Sequence, residues 1–314
     1  MKKASIALAL LFLSCNKPFD PKGPVEELTV VYSVISTDSD VQFVRVYSNY
    51  DVSGFNPFES STDSPIAGAQ VVITGPHGSY TFKDTLLPRP DTSRYKSRIA
   101  AYVGRWRPEP GQTYTLTVNA AGIGPSSATV TTPKQSQPIY WSAFDALDDP
   151  DNYKGSSSIG CYTQFSKDTK AYTFQMAIEY LVQTSGGWQT QTIEVPIFVS
   201  DSTFTFASYP SLFTPYIYAG GYYNKNSYIT TLHRIFSMTG SANLVFSRIV
   251  FRFLQVDQNW YDYYNTVRKF QDPHSIRLDQ PDFTNLSHGY GLFGAFTVDS
   301  LVHDYPPDFK YNRR

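Results

Sequence analysis

Apolar and polar residues alternate with a period of two along most of this chain, the signature of strands buried on one face. Leu28 to Ile35 and Val41 to Ser48 flank the polar turn Ser36-Thr37-Asp38-Ser39-Asp40 and predict a strand pair. Ala69, Val71 and Ile73 alternate with Gln70, Val72 and Thr74 before Gly75-Pro76-His77-Gly78 turns the chain. After Pro110-Gly111, Tyr114, Leu116 and Val118 share one strand face and threonines occupy the other, and Ser126 to Thr132 supplies a further strand. About seven short strands in roughly a hundred residues predict an N-terminal immunoglobulin- or fibronectin-like β-sandwich over 28–133.

Pro133 to Pro138 is polar and closed by proline at both ends, which marks a domain boundary. Beyond it the strands lengthen. Ala171 to Gln183 alternates over thirteen residues, Ser185-Gly186-Gly187 turns, and Trp188 to Ser200 returns as a hairpin. Asn243 to Val256 places Val245, Ile249, Phe251 and Phe253 on one face and Arg248 and Arg252 on the other, toward water or a partner. This predicts a larger antiparallel β-sheet or barrel-like domain over 134–303.

One segment changes period. Asp257 is a suitable N-cap, and Trp260, Tyr263, Tyr264, Val267 and Phe270 recur at three- and four-residue spacing. A helix over about 258–271 follows, its aromatic stripe packing on the sheet. Gly289, Gly291 and Gly294 then interrupt an aromatic strand where the backbone must approach closely or take positive φ. The tail 304–314 is expected to be poorly ordered.

The N-terminal stretch has a different logic. Lys2-Lys3, the apolar run Ala4 to Leu13 and Ser14-Cys15 predict a secretory signal over 1–15, too short for a permanent membrane helix. Ser14-Cys15 fits the end of a bacterial lipoprotein box, although Phe12 stands where Leu is usual. Cys15 is therefore the expected lipidation site, its acyl chains (palmitate or similar) contributing about 0.8 kcal/mol per buried methylene. The competing readings are an ordinary signal peptide with an incidental Cys, or a buried N-terminal helix. Residues 16–27, with Pro18, Pro21, Gly23 and Pro24, form a tether.

Composition narrows the function classes. Aromatics reach 16%, with 24 Tyr and 22 Phe, which favours sheets over helices. A net charge of −1 lacks the basic excess that displaces counterions from phosphates, so no nucleic-acid partner is expected. Cys161 reads as a small buried hydrophobe. Ser93-Arg94-Tyr95-Lys96 has the Ser-x-x-Lys spacing of penicillin-recognising enzymes but no companion motif, and Gly155 to Gly160 misses the nucleophile elbow at Ile159. Asp145, Asp148, Asp149 and Asp151 fail the calcium-loop rule, with Tyr153 and Lys154 at positions that need a ligand and a glycine. His77, His233, His274, His288 and His303 show no metal-ligand spacing. No catalytic set, metal or cofactor is expected, and the chain does not read as an enzyme.

The strongest binding candidate is Phe204 to Tyr228, rich in aromatics and broken by Pro210, Pro215 and Gly220-Gly221. Tyr209, Phe213, Tyr216, Tyr218, Tyr222 and Tyr223 are its candidate ligand- or partner-binding residues, since tyrosines offer large rigid contact area. The alternative is that these rings fold back over the core.

Trp260-Tyr261-Asp262-Tyr263-Tyr264, then Thr284-Asn285-Leu286 and Gly289-Tyr290-Gly291-Leu292-Phe293-Gly294, resembles the C-terminal signature of an uncharacterised Bacteroidetes lipoprotein family catalogued as domain of unknown function 4249. The lipoprotein Cys, the strand at 28–35, Pro65 to Ile73 and Pro110-Gly111 before Tyr114 extend the resemblance over nearly the whole mature chain, while Leu286 stands where Ile is common. It implies an outer-membrane lipoprotein found alongside TonB-dependent transporters. The expected function is an accessory or ligand-binding partner of such a transporter, lipid-anchored on an unresolved face of the outer membrane. A structural or adhesive surface lipoprotein is the alternative, and a carbohydrate-active enzyme comes third. Cys15→Ala should move the protein from membrane to soluble fractions in cells that process lipoproteins; full retention in the membrane would contradict the anchor.

Overall fold

The computed structural model describes residues 26–49, 65–90, 92–93, 96–136, 140–142, 145–150, 154–155, 157–167, 169–200, 207–212, 219–240, 243–269 and 283–309. The protein is mostly β, with several sheets and two helices longer than one turn. In the first half, β1 (Thr29–Ser36), β2 (Val41–Ser48), β6 (Ile99–Arg105) and β5 (Lys83–Leu87) form one layer, and β4 (Gly78–Thr81), β3 (Gln70–Gly75), β7 (Thr113–Ala120) and β8 (Gly124–Thr131) form the other. Val31, Val44 and Tyr102 from the first layer share one core with Ile73, Leu116 and Val130 from the second.

In the second half, β11 (Ala171–Thr184) lies between β12 (Gly187–Val195) and β16 (Leu244–Val256). A smaller layer of β15 (Ala219–Asn224), β10 (Ser158–Thr163) and β9 (Tyr140–Ser142) follows, with α1 (Asp145–Asp148) and α2 (Lys225–Thr239) beside it. Phe174, Phe251, Phe253, Tyr223 and Tyr228 fill the second core. β13 (Phe198–Val199) and β14 (Ala207–Ser208) form a two-stranded sheet, and α3 (Gln258–Lys269) follows β16 directly.

The last strand, β17 (Gly289–Asp304), belongs to both halves. Its first half runs parallel to β1, from Gly289 opposite Thr29 to Phe296 opposite Ser36. Its second half runs antiparallel to β16, from Phe296 opposite Val256 to Asp304 opposite Arg248. One sheet of eight strands therefore runs β12-β11-β16-β17-β1-β2-β6-β5 through the molecule. It stays open, with β12 and β5 as edges, so the barrel-like option is set aside. The two cores do not divide the chain at a single point, because Leu286, Phe293 and Ala295 pack in the first.

Four sequence expectations need correction. The single expected helix, 258–271, is α3, but α2 was missed; its fifteen-residue span carries the β-branched residues Ile229, Thr230 and Thr231, which mask the helical spacing of Tyr228, Leu232 and Ile235. Asn224 caps it through the Asn226 N–H at 2.8 Å, and Gly240 at φ 72° ends it. The strand expected over 188–200 stops at Val195, before Pro196, and Phe198–Val199 pairs elsewhere. Val245 does not share the inner face with Ile249: a bulge opposite Glu179/Tyr180 shifts the alternation, so Phe246 turns in and Val245 out. The tail is ordered as far as it is described. Tyr305 is buried, its hydroxyl is 2.9 Å from that of Tyr228, and Phe309 packs on its ring at 4.3 Å.

Between Gly289 and Ala295 no strand among the described residues lies along the second edge of β17, and Asn285 and Asp257 close it. Asn285 uses its amide as a strand would, accepting from the Phe293 N–H at 2.9 Å and donating to the Phe293 carbonyl at 2.8 Å. Asp257 does the same one pair further on, its carboxylate accepting the Ala295 N–H at 2.9 Å and its own N–H donating to the Ala295 carbonyl at 3.0 Å. The carboxylate also caps α3, taking the N–H groups of Asn259 at 2.9 Å and Trp260 at 3.2 Å. Gly294 lets Trp260 come this close, and Gly291, at φ 115°, sits where a Cβ would overlap the Val31 carbonyl.

Two outcomes follow. Gly291→Ala combines positive-φ strain with overlap against β1 and should cost at least about 3 kcal/mol, read from the denaturant midpoint. Burial pushes the Asp257 carboxyl up to about 6, against the opposing pull of its three N–H donors. Its folded pKa is raised, so the stability linked to it is fully present below the unfolded value and is lost as pH rises through about 6. The stability difference between wild type and the non-titrating Asp257→Asn should therefore shift against wild type by roughly 2–3 kcal/mol between pH 4 and pH 7, measured by urea unfolding.

Candidate functional site

Among the described residues, two surfaces present clusters of aromatic side chains to solvent. The first is the outer face of the sheet strands β17, β1, β2, β6 and β5. Register fixes its composition, because directly opposed residues share a face. Tyr290 lies opposite Val30, Tyr32 opposite both Leu292 and Arg45, and Phe43 opposite Val103. Tyr32, Phe43 and Tyr290 are exposed, at 38%, 45% and 44%. They step diagonally across three adjacent strands, at about 7–8 Å per step. α3 bounds the face on one side, where Tyr263 meets Tyr32 edge-to-face at 6.1 Å.

Where β17 pairs with β1, and on β1, β2, β6 and β5, the charges at the outward positions have one sign. Arg45 lies opposite Tyr32, Arg105 opposite Val41 and Lys83 opposite Val103. The carboxylates lie at the margins of this face: Asp84 turns to the opposite side and accepts the Gly68 N–H at 3.1 Å, Asp38 and Asp40 occupy the turn between β1 and β2, Glu26 and Glu27 precede β1, and Asp304 ends β17. Arg45 lies over the Tyr47 ring at 4.9 Å.

The second surface belongs to the second half. Ile197 receives the Asn224 N–H at 2.9 Å and donates its own to Ser208 at 2.8 Å, which ties β13, β14 and β15 together at one corner. Phe198, Tyr209 and Tyr222 are carried there, exposed at 52%, 47% and 52%. Tyr222 meets Tyr162 edge-to-face at 5.4 Å. Beyond it the β11–β12 hairpin extends into solvent, with Trp188 exposed near its tip.

Of the sequence candidates, Tyr209 and Tyr222 thus lie on the surface, while Tyr223 is fully buried between Phe174 and Phe251 at 5.7 and 5.8 Å. The alternation of β15 explains the split: adjacent residues of a strand face opposite ways. Cys15, Phe213, Tyr216 and Tyr218 lie outside the described residues. Nothing in the local pattern pointed to Tyr32, Phe43 and Tyr290 as one group, because Tyr290 joins the other two only through the pairing of β1 with β17.

The remaining chemistry is structural. Cys161 is buried in the second core, and burial pushes its thiol far up, away from nucleophilic use. His303 bonds Asp148 at 2.7 Å, and His77 meets Glu109 at 3.2 Å on the surface. Among the described residues no three His, Cys, Asp or Glu side chains gather as a metal site. A cleft of about 320 Å³ opens between β8 and the start of α3, lined by Lys134, Lys170, Gln258 and Asp257 among others. Both Asp257 oxygens are already taken by backbone N–H groups, so this carboxylate holds the fold together at the cleft wall.

A family model described as a domain of unknown function, DUF4249, matches residues 16–301. Among curated proteins nothing matches. A solved DUF4785 family protein from Legionella pneumophila aligns at 9% identity over 70% of this chain and 51% of its own, with a TM-score of 0.21. This chain spans about half the length of that protein, and a likeness so slight carries no argument.

The assignment of adjacent tyrosines to core and surface predicts opposite mutational costs. Tyr223→Ala should destabilise by about 3–5 kcal/mol and Tyr222→Ala by less than about 1 kcal/mol, as measured by chemical denaturation.

Proposed function

The chain belongs to the DUF4249 family, and on that premise we propose that it is a lipid-anchored outer-membrane protein that works by binding, as an accessory of a TonB-dependent transporter. Cys15 is the acylated residue and residues 16–27 the tether. The first unit, with its parallel first and last strands, is a sandwich of the immunoglobulin or fibronectin kind, used as a scaffold. The partner contact belongs to the second unit. The observation that carries this reading is the corner of Phe198, Tyr209 and Tyr222, three large exposed rings on segments that the backbone of Ile197 ties together. Aromatic side chains of this type supply most of the energy at protein interfaces and lose little entropy on binding.

Such a contact needs no deep pocket. Hot-spot rings work when a partner seals them from water, and a lipid anchor raises the local concentration of that partner by confining both to one membrane. An interface of modest intrinsic affinity then suffices.

Copurification from solubilised outer membranes, with the native anchor retained, tests the proposal. The wild-type chain should recover a TonB-dependent transporter, and the triple variant Phe198→Ala, Tyr209→Ala, Tyr222→Ala should lose it at least tenfold while remaining folded and membrane-bound. Repeated recovery of the wild type without any transporter would count against the accessory role and favour a free-standing surface protein.

A further inference from the structure

We propose that the outer face of the β17-β1-β2-β6-β5 layer seats on an anionic lipid surface, with Tyr32, Phe43 and Tyr290 at headgroup depth and Arg45, Arg105 and Lys83 against lipid phosphates. Three independent observations select this occupant. The first is chemical. Tyrosine and phenylalanine combined with arginine and lysine is the composition that membrane interfaces favour, because the ring enters the boundary layer while its polar end and the cations stay with the headgroups. All three aromatics are roughly two-fifths exposed, on a sheet face bounded on one side by α3.

The second is the sign of the charge. On β1, β2, β5, β6 and the part of β17 that pairs with β1, residues 289–296, the charged side chains at outward register positions are Arg45, Arg105 and Lys83, all cationic, in a chain whose net charge is −1; the outward Asp304 lies at the far end of β17, beside β16. An anionic surface complements that face, and each cation near such a surface contributes about fivefold in partitioning, roughly a hundredfold for three. The third is position. The described chain begins at Glu26, three residues before β1, whose outward side chains Val30, Tyr32 and Val34 run through the middle of the face. The ten residues between Cys15 and Glu26 span at most about 35 Å, so the face that the tether enters is among those that can reach the lipid. This third observation rests on the anchoring proposed above; the first two do not.

The pose is consistent with the partner corner. The lipid face belongs to the first layer, the rings Phe198, Tyr209 and Tyr222 to the second half, and β17 joins the two through one sheet. Seating the first would hold the second in a defined direction along the membrane.

The test uses the chain from Asn16 onward, which keeps every described residue and lacks the apolar leader and Cys15, so that binding reports the face and not an acyl group. It is mixed with vesicles of phosphatidylethanolamine and phosphatidylglycerol, or of phosphatidylcholine alone, and bound protein is separated by sedimentation. Binding should be at least tenfold stronger on the anionic vesicles and should weaken in high salt. The variant Arg45→Gln, Arg105→Gln, Lys83→Gln should lose about a hundredfold, and Tyr32→Ser, Phe43→Ser, Tyr290→Ser should lose most of the remainder. Lys134→Gln with Lys170→Gln, at the cleft, should bind as wild type does. Phe43→Ser alone, whose ring sits in no core, covers the case in which the triple variant fails to fold. Equal binding to both vesicle types, loss caused as readily by the cleft lysines, or binding only when a purified transporter is present in the vesicles would each overturn the proposal. Mass measurement of the native protein at Cys15 separates this outcome from a failure of the anchor itself.

Discussion

Everything in this molecule depends on a strand edge that is left without a strand. For the length of Gly289 to Ala295, β17 has β1 on one side and, among the described residues, only Asn285 and Asp257 bonding the other. Asn285 and Asp257 occupy that side with strand-like pairs of hydrogen bonds, and Asp257 simultaneously begins α3. A neutral amide would serve at Asn285, where one donor and one acceptor are needed. At Asp257 both oxygens accept, so only a carboxylate satisfies all three N–H groups, and burial makes that charge costly. The strain is local, and what it secures is a single strand serving two cores.

That arrangement also explains why the C-terminal aromatic and glycine signature reads as it does. Trp260 packs over Gly294 and against Phe296, Leu286 enters the first core, and Ser287 pairs with Ser127 of the opposite layer. These residues are what a junction requires: a close approach, a ring to cover it and a strand end to pin it.

Much of this was legible along the chain, and the failures have physical causes. The long strands, the Gly186 turn, the Asp257 cap and the need for glycine near 291 are local signals, set by residues within a few positions of each other. The α2 helix was hidden because threonine and isoleucine outweigh its spacing, although Asn224 and Gly240 mark its ends. The flip of Val245 came from one extra residue in β16, which no alternation pattern announces. The outer aromatic face was invisible for a deeper reason. Thr29 meets Gly289 across almost the entire sequence, and a face made by such pairing exists only once the fold does. The same holds for the separation of Tyr222 from Tyr223, which needed the core to say which side was in.

The functional account asks one body to carry two surfaces in fixed relation, one toward lipid and one toward a partner. It holds only if β17 makes the two cores a single cooperative unit and does not merely touch both. Differential scanning calorimetry on the chain from Asn16 measures this most directly. A single transition whose calorimetric and van't Hoff enthalpies agree is the predicted result. Two resolved transitions, one for each core, would contradict it.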